Sequence, residues 1–124
     1  MHRHRIDFPP DPEDRTRVAT LFRALADETR AQLILLLSER EHSVSELVEQ
    51  IGAPQSTISR HLGLLRAAEL VRTRREGTTI WYRLEDAHVG DLIREAFSHA
   101  EHRRLGLPDH PTRPSRGRGK RRGS

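Results

Sequence analysis

Hydrophobic residues recur along this chain with spacings that change from segment to segment, and each spacing predicts one element. In residues 14–26 they recur every three to four positions, which predicts a helix with one buried face. Asp27 is a suitable N-cap for a second helix over about residues 28–40. Residues 33–37 of that helix are all apolar, so we expect it to lie at the centre of the domain.

Two short amphipathic segments follow with the spacing of a helix-turn-helix unit. Ser43 and Glu46 can form a capping box ahead of a third helix, which we expect to end at Gly52. A fourth helix begins three residues later, with Pro54 suited to its first turn. Two short helices joined by a tight turn that contains glycine are typical of the helix-turn-helix motif.

The rest of the pattern predicts a hairpin and a last helix. Residues 70–75 and 78–84 are rich in β-branched and aromatic residues and flank Glu76 and Gly77, which predicts a β-hairpin. The last helix, residues 86–105, has an apolar stripe so wide that it needs a partner to cover it. The stripe consists of Val89, Leu92, Ile93, Ala96, Phe97 and Ala100.

The predicted fold is therefore mainly α-helical with a β-hairpin wing. It is a winged helix-turn-helix whose last helix needs a partner to cover its apolar stripe. A chain of 124 residues allows one domain with a modest core, and dimerisation would add to its stability.

Composition divides the chain into three parts. Residues 1–12 contain three prolines and two histidines and predict a flexible arm, and residues 13–107 form the domain. Residues 108–124 hold six basic residues against Asp109 alone, and their Arg, Gly and Pro content predicts a disordered basic tail. The formal charge of +4 comes from this tail, which either attracts DNA phosphates or only aids solubility.

The composition also excludes several classes of protein. No apolar run approaches the roughly 18 residues of a membrane span, and the N-terminus has no apolar signal core, so we expect a cytoplasmic protein without a membrane partner. Cysteine is absent, which excludes disulfides, thiolate metal ligands and thiol nucleophiles.

The fourth helix has one face of small and hydrogen-bonding residues. Ile58, Leu62 and Leu65 fall together on a helical wheel and must face the core. The opposite side suits contacts with phosphates and base edges in a major groove. The alternative is a helix pair used only for packing, with a solvated arginine-rich hairpin. The candidate DNA-binding residues are Gln55, Ser56, Thr57, Ser59, Arg60 and His61 on the helix and Arg72, Arg74 and Arg75 on the hairpin.

The chain resembles the ArsR/SmtB family of winged-helix repressors. The likeness is carried by LADETR at 25–30, QSTISRHL at 55–62, LRAAELV at 65–71, RREG at 74–77 and YRL at 82–84. The resemblance implies a homodimer, formed through the N- and C-terminal helices, on an inverted-repeat operator of double-stranded DNA. It places the fourth helix in the major groove and leaves His61 as a packing or DNA-contacting residue. Glu69 stands where the family commonly has glycine, and a left-handed backbone there would cost about 1 kcal/mol.

Four candidate metal ligands lie on the last helix: Asp86, His88, His99 and His102. One carboxylate and three imidazoles complete a tetrahedral set that suits Zn²⁺. His99 and His102 share a helix face, but His88 and His99 lie about 16 Å apart along the axis. Because one helix cannot bring all four to one ion, we expect two symmetric sites between antiparallel helices of a dimer.

The same spacing occurs at the C-terminal helix of zinc-sensing and cobalt-sensing family members. It implies a repressor that is released from its operator when Zn(II), or else Co(II) or Ni(II), binds. Residues 41–47, where other members carry a cysteine site, have no thiols, so arsenic, antimony, cadmium or lead sensing through that site is not expected, and we expect His42 to be a surface residue.

The sequence leaves two alternatives open. His2, His4 and His110 either add metal ligands or are solvated. The four ligands on the last helix are alternatively incidental, which would leave a winged-helix regulator that does not respond to metal. An enzyme is not expected, because a zinc hydrolase keeps one coordination position open for water and this set closes it.

Overall fold

Five helices and three short strands make up residues 5–106, the part of the chain that the computed structural model describes. The predicted basic tail and His2, His4 and His110 lie outside this range. In chain order the elements are α1 (Pro12–Leu25), α2 (Glu28–Leu37), β1 (His42–Ser43), α3 (Val44–Ile51), α4 (Gln55–Ala67), β2 (Val71–Glu76), β3 (Thr79–Leu84) and α5 (Ala87–Leu105).

The capping signals in the sequence act as predicted. The Asp27 side chain accepts a hydrogen bond from the Arg30 backbone N–H at 3.0 Å and starts α2. Ser43 and Glu46 form both halves of the capping box of α3. Gly52 ends that helix in the left-handed conformation, with φ 80°. The helix-turn-helix unit is therefore confirmed, with α4 as its second helix.

Three helix boundaries differ from the prediction. The α1 helix begins at Pro12 rather than residue 14, because Asp11 caps it through the Glu13 N–H at 2.8 Å. The α2 helix ends at Leu37 rather than near residue 40, because the Ser38 side chain and backbone bond the preceding carbonyls and close the last turn. Pro54 precedes α4 as its N-cap, in extended conformation, instead of lying in its first turn.

One cluster of buried aliphatic side chains joins the helices to the hairpin. Leu33 and Ile34 of α2 are fully buried, which confirms that this helix is central. Leu35 and Leu36 are only half-buried, so the helix is not covered on every side. The cluster consists of Leu33, Ile34, Leu37, Leu47, Ile58, Leu62, Leu65, Leu70, Val71, Val89 and Ile93.

The sheet has the strand order β1-β3-β2, with every pair antiparallel. The predicted hairpin is present, but Glu76 belongs to β2 and the turn consists of residues 77–78, with Gly77 left-handed at φ 63°. β1 was not predicted. It places His42 opposite Tyr82, so His42 is buried, not at the surface as expected, and its Nδ1–H donates to the Arg40 carbonyl at 3.0 Å.

The apolar stripe of α5 is divided between two environments. Val89 and Ile93 are buried against the rest of the protomer, whereas Leu92 and Phe97 are each 37% exposed. Together with Phe22 of α1, these exposed residues line an open groove between α1 and α5. Within residues 5–106, no helix has the length and apolar character needed to cross a membrane.

Candidate DNA interface and candidate metal site

The fourth helix presents a polar face to solvent because its other face is anchored in the core. Ile58, Leu62 and Leu65 have no exposed surface and fix the rotation of the helix about its axis. The structure brings most of the predicted DNA-binding residues together on the N-terminal half of α4. Gln55, Ser56, Ser59 and Arg60 are exposed, and Thr57 is half-buried.

The N-terminus of α4 has no side-chain cap, since the side chain of its N-cap residue, Pro54, has no group that could accept a hydrogen bond. The backbone N–H groups of a helix's first turn lack partners inside the helix and carry the positive end of its dipole. In α4 they lie beside Gln55 and Ser56, so this end of the helix suits a DNA phosphate.

His61 does not lie on this polar face. Its side chain is 6% exposed, and its Nδ1 accepts a hydrogen bond from Nη1 of Arg30 at 3.1 Å. Arg30 also donates through Nε to the Ala24 carbonyl at 2.6 Å, and Asp27 Oδ2 lies 3.8 Å from the His61 ring. Burial lowers the pKa of His61, although the negative charge of Asp27 acts to raise it. His61 is therefore a packing residue that joins α4 to the α1–α2 junction, and its assignment as a DNA contact is corrected.

The three hairpin arginines have different surroundings. Arg75 is exposed, and no acidic group within residues 5–106 pairs with it. Arg72 Nη1 lies 3.7 Å from Glu85 Oε2. Arg74 is already engaged, since it donates to Glu41 from Nη2 at 2.8 Å and from Nε at 3.1 Å.

Sequence reasoning did not find Glu41 or Arg30 as partners of the predicted DNA-binding residues. Arg30 belongs to the LADETR segment, which carries part of the family resemblance, but the sequence did not indicate His61 as its partner. Glu41 is 33 positions from Arg74, and nothing in the sequence pattern connects the two. The hydrogen bonds from Arg74 lower the pKa of the Glu41 carboxyl group, which keeps this ion pair charged.

The candidate metal ligands begin at the N-terminus of α5. Asp86 is the N-cap of the helix, and its Oδ1 accepts from the His88 N–H at 2.9 Å and the Val89 N–H at 3.4 Å. The His88 ring is 97% exposed, with its Nδ1 3.5 Å from Asp86 Oδ1. Asp86 is thus fixed by its capping role, while no hydrogen bond within residues 5–106 involves its Oδ2.

The other two candidate ligands lie near the C-terminus of the same helix. His99 is exposed and His102 is half-buried. Within one protomer, the described residues contain no group of three side chains placed to hold a metal ion. The donor set itself fits a tetrahedral Zn²⁺ ion, but only Asp86 with His88, and His99 with His102, are close in sequence on this helix. A complete site therefore needs a second copy of α5.

Comparison with known proteins agrees with the fold. The family model described as "Bacterial regulatory protein, arsR family" matches residues 27–73. The HTH-type transcriptional regulator KmtR of Mycobacterium tuberculosis is 52% identical over 107 residues, 84% of this chain and 82% of that protein. The HTH-type transcriptional repressor SmtB of the same species is 38% identical over 92 residues, 74% of this chain and 68% of that protein.

A solved structure has the same architecture. It is the homodimeric winged helix-turn-helix DNA-binding domain Mb0332 from Mycobacterium bovis, which matches with a TM-score of 0.68 at 28% identity and covers 84% of this chain and 98% of that one. The fold, the helix-turn-helix unit and these likenesses together show that the chain belongs to the ArsR family, whose members are DNA-binding transcriptional regulators and not enzymes.

Proposed function

We propose that this repressor responds to metal: it binds an inverted-repeat operator as a homodimer and is released when Zn(II), Co(II) or Ni(II) binds between its two α5 helices. One observation carries the proposal. The helix that exposes the unpartnered apolar residues Leu92 and Phe97 also exposes three of the four candidate ligands, and the fourth is half-buried. A dimer formed through that helix would bring ligands from two chains together.

The operator contacts are assigned to α4 and the wing. Ser56, Ser59 and Arg60 can reach phosphates and base edges, and the open N-terminus of α4 can bind a phosphate. A twofold dimer presents two such helices to successive major grooves, about 34 Å apart, so it reads an inverted repeat.

The groove between α1 and α5 is the proposed dimer interface. Phe22, Leu92 and Phe97 are exposed there, and a contiguous apolar surface of this kind marks an interaction site on a protein of this size. The solved domain from M. bovis is described as homodimeric, which supports the same assembly for this chain.

The metal is assigned to Asp86 and His88 of one protomer and His99 and His102 of the other. Antiparallel α5 helices would place these two pairs side by side twice, giving two equivalent sites per dimer. When bound, the ion would link the two helices and fix the angle between the protomers. Since α5 packs on α2, and α2 contacts α4 through Arg30 and His61, a change at α5 can reach the DNA-binding helix.

Release then follows from linkage between two ligands. If metal favours a dimer geometry in which the two α4 helices no longer match successive grooves, metal and DNA weaken each other's binding by the same factor. A coupling of about 1–3 kcal/mol corresponds to roughly 5- to 150-fold.

Fluorescence anisotropy of the protein on DNA from its own promoter, titrated with Zn²⁺ and then with EDTA, tests this proposal. We expect reversible release for the wild type, none for a His99→Ala/His102→Ala double variant, and normal release for Glu95→Gln, an exposed control on the same helix. Binding that is unaffected by Zn²⁺, Co²⁺ and Ni²⁺ would contradict it.

The second candidate is a winged-helix regulator that does not respond to metal. The described protomer fits this candidate as well as the first, because no three of the candidate ligands lie together within it. The same titration separates the two, because a regulator of this kind would bind its promoter equally well with Zn²⁺ or with EDTA.

A further inference from the structure

The outer face of the wing carries a set of contacts that spans all three strands, and we call it the strap: Arg74 with Glu41 and Trp81. Arg74 lies in β2 directly opposite Trp81 in β3, and Glu41 comes immediately before β1 at the other edge of the sheet. The Arg74 side chain must therefore cross β3 to reach Glu41. It passes over the Trp81 ring, with its guanidinium carbon 5.9 Å from the ring centroid.

The geometry of the strap is that of a two-point ion pair. Arg74 Nη2 donates to Glu41 Oε1 at 2.8 Å, and Nε lies 3.1 Å from both carboxylate oxygens. Its Nη1 also lies 3.4 Å from Glu76 Oε1. Two carboxylates thus share one guanidinium, and a fork of this kind fixes direction as well as distance.

Arg75 is in the opposite situation. Successive side chains of a strand point to opposite faces, so Arg75 lies on the other face of β2 from Arg74. It is exposed, and within residues 5–106 no carboxylate is paired with it. Of the two neighbouring arginines, Arg75 is the cation available to a phosphate.

We propose that Arg74 is a positioning residue which, through Glu41 and Trp81, holds the wing against the body of the domain, and that Arg75 makes the wing's contact with the DNA backbone. This inference rests on the proposed operator binding. A wing that is already fixed loses less conformational entropy when it meets DNA. Moving Arg74 to a phosphate would instead break an existing ion pair and leave two acidic groups close to the DNA.

The two roles predict different salt dependence. The logarithm of the DNA affinity falls as the logarithm of the salt concentration rises. An arginine that neutralises a phosphate contributes about 0.9 to the magnitude of that slope, or about 1.8 for the two copies in a dimer. Arg75→Gln should reduce the magnitude of this slope by about that amount. Arg74→Gln and Glu41→Gln should leave the magnitude of the slope undiminished and weaken binding by about two- to fivefold, since the ion pair is partly exposed to solvent.

A spectroscopic readout tests the strap in the absence of DNA. Trp81 is the single tryptophan of the chain, so tryptophan fluorescence reports on the surroundings of this one side chain, which include the strap. We expect Arg74→Gln and Glu41→Gln to shift its emission in the same way and Arg75→Gln, the matched control one residue away, to leave it unchanged.

The decisive comparison is a charge swap. We expect Arg74→Glu to weaken DNA binding and the double variant Glu41→Arg/Arg74→Glu to recover most of the loss, because the pair is re-formed in reverse. If Arg74 touched phosphate, the double variant would still place a carboxylate against DNA and would not recover.

An Arg74→Gln slope reduced as much as that of Arg75→Gln, with unchanged Trp81 emission, overturns the inference and leaves operator binding intact. A wild type that binds no promoter DNA overturns the proposed function itself.

Discussion

Glu69 turns the chain after α4 with a left-handed backbone, φ 62°, a conformation that glycine adopts with least strain. Its carboxylate pairs with Arg17 at 3.1 Å, but both side chains are more than two-thirds exposed, so this contact adds little stability. We predict that Glu69→Gly raises the free energy of unfolding by about 0.5–1 kcal/mol, measured by urea denaturation. Glu69→Gln keeps the Cβ atom, and a gain of equal size in that control would contradict the explanation.

Gly63 lies inside α4, where glycine normally destabilises a helix, yet a Cβ atom at this position would meet nothing within 4 Å. The fold of the protomer therefore does not require glycine, and we attribute it to close approach of DNA. We predict that Gly63→Ala stabilises the free protein by about 1 kcal/mol and weakens operator binding about tenfold, because an extra methyl group overpacks a tight interface. Unchanged affinity in a filter-binding assay would show that DNA does not approach Gly63 closely.

The buried His61 gives the free energy of unfolding a dependence on pH. Burial lowers the pKa of His61 in the folded state below the ordinary 6.5. The unfolded chain therefore binds a proton at His61 more readily than the folded chain does. The contribution of His61 to the free energy of unfolding is fully present above about pH 6.5 and is lost as the pH falls below that value. We predict that His61→Gln, which can still accept from Arg30, flattens the decline between about pH 6.5 and 5 in thermal melts. An equally steep decline in the variant would assign the effect to other groups.

At the scale of elements, local signals predicted most of the helices because capping acts over a few residues. The Ser43–Glu46 pair and Gly52 fixed both ends of α3. The predicted end of α2 was too late. The sequence after Leu37 could have continued as a helix, but the hydrogen bonds of Ser38 close the last turn. β1 has two residues and exists only because β3 pairs with it, so no spacing within it could have indicated a strand.

The candidate site was predictable only where it depends on one helix. The polar face of α4 followed from its three buried leucine and isoleucine positions. The contact between Arg30 and His61 joins residues 31 positions apart, and that between Arg74 and Glu41 joins residues 33 apart. Such pairs depend on how helices and strands pack, and periodicity along the sequence carries no information about them.

For the whole molecule, the groove between α1 and α5 predicts the state of assembly. We expect Phe97→Glu, which places a charge among Phe22 and Leu92, to convert the dimer into a monomer in sedimentation velocity and to abolish operator binding. Leu64 is also exposed and apolar, at 46%, but lies on α4 outside the groove, so Leu64→Ser should remain a dimer. A dimeric Phe97→Glu variant would place the interface elsewhere.

Each proposed metal site is shared between two protomers, and mixing two defective variants tests this sharing. Asp86→Ala/His88→Ala and His99→Ala/His102→Ala each lack half of every site, so neither should bind Zn²⁺ tightly alone. After unfolding and refolding together, half of the dimers are mixed, and each mixed dimer has one intact site. We expect about a quarter of the wild-type Zn²⁺ uptake, together with partial Zn²⁺-dependent release of operator DNA. If mixing restores no uptake while the wild type binds Zn²⁺, the ligands do not come from two chains, and metal does not release DNA by linking the two α5 helices.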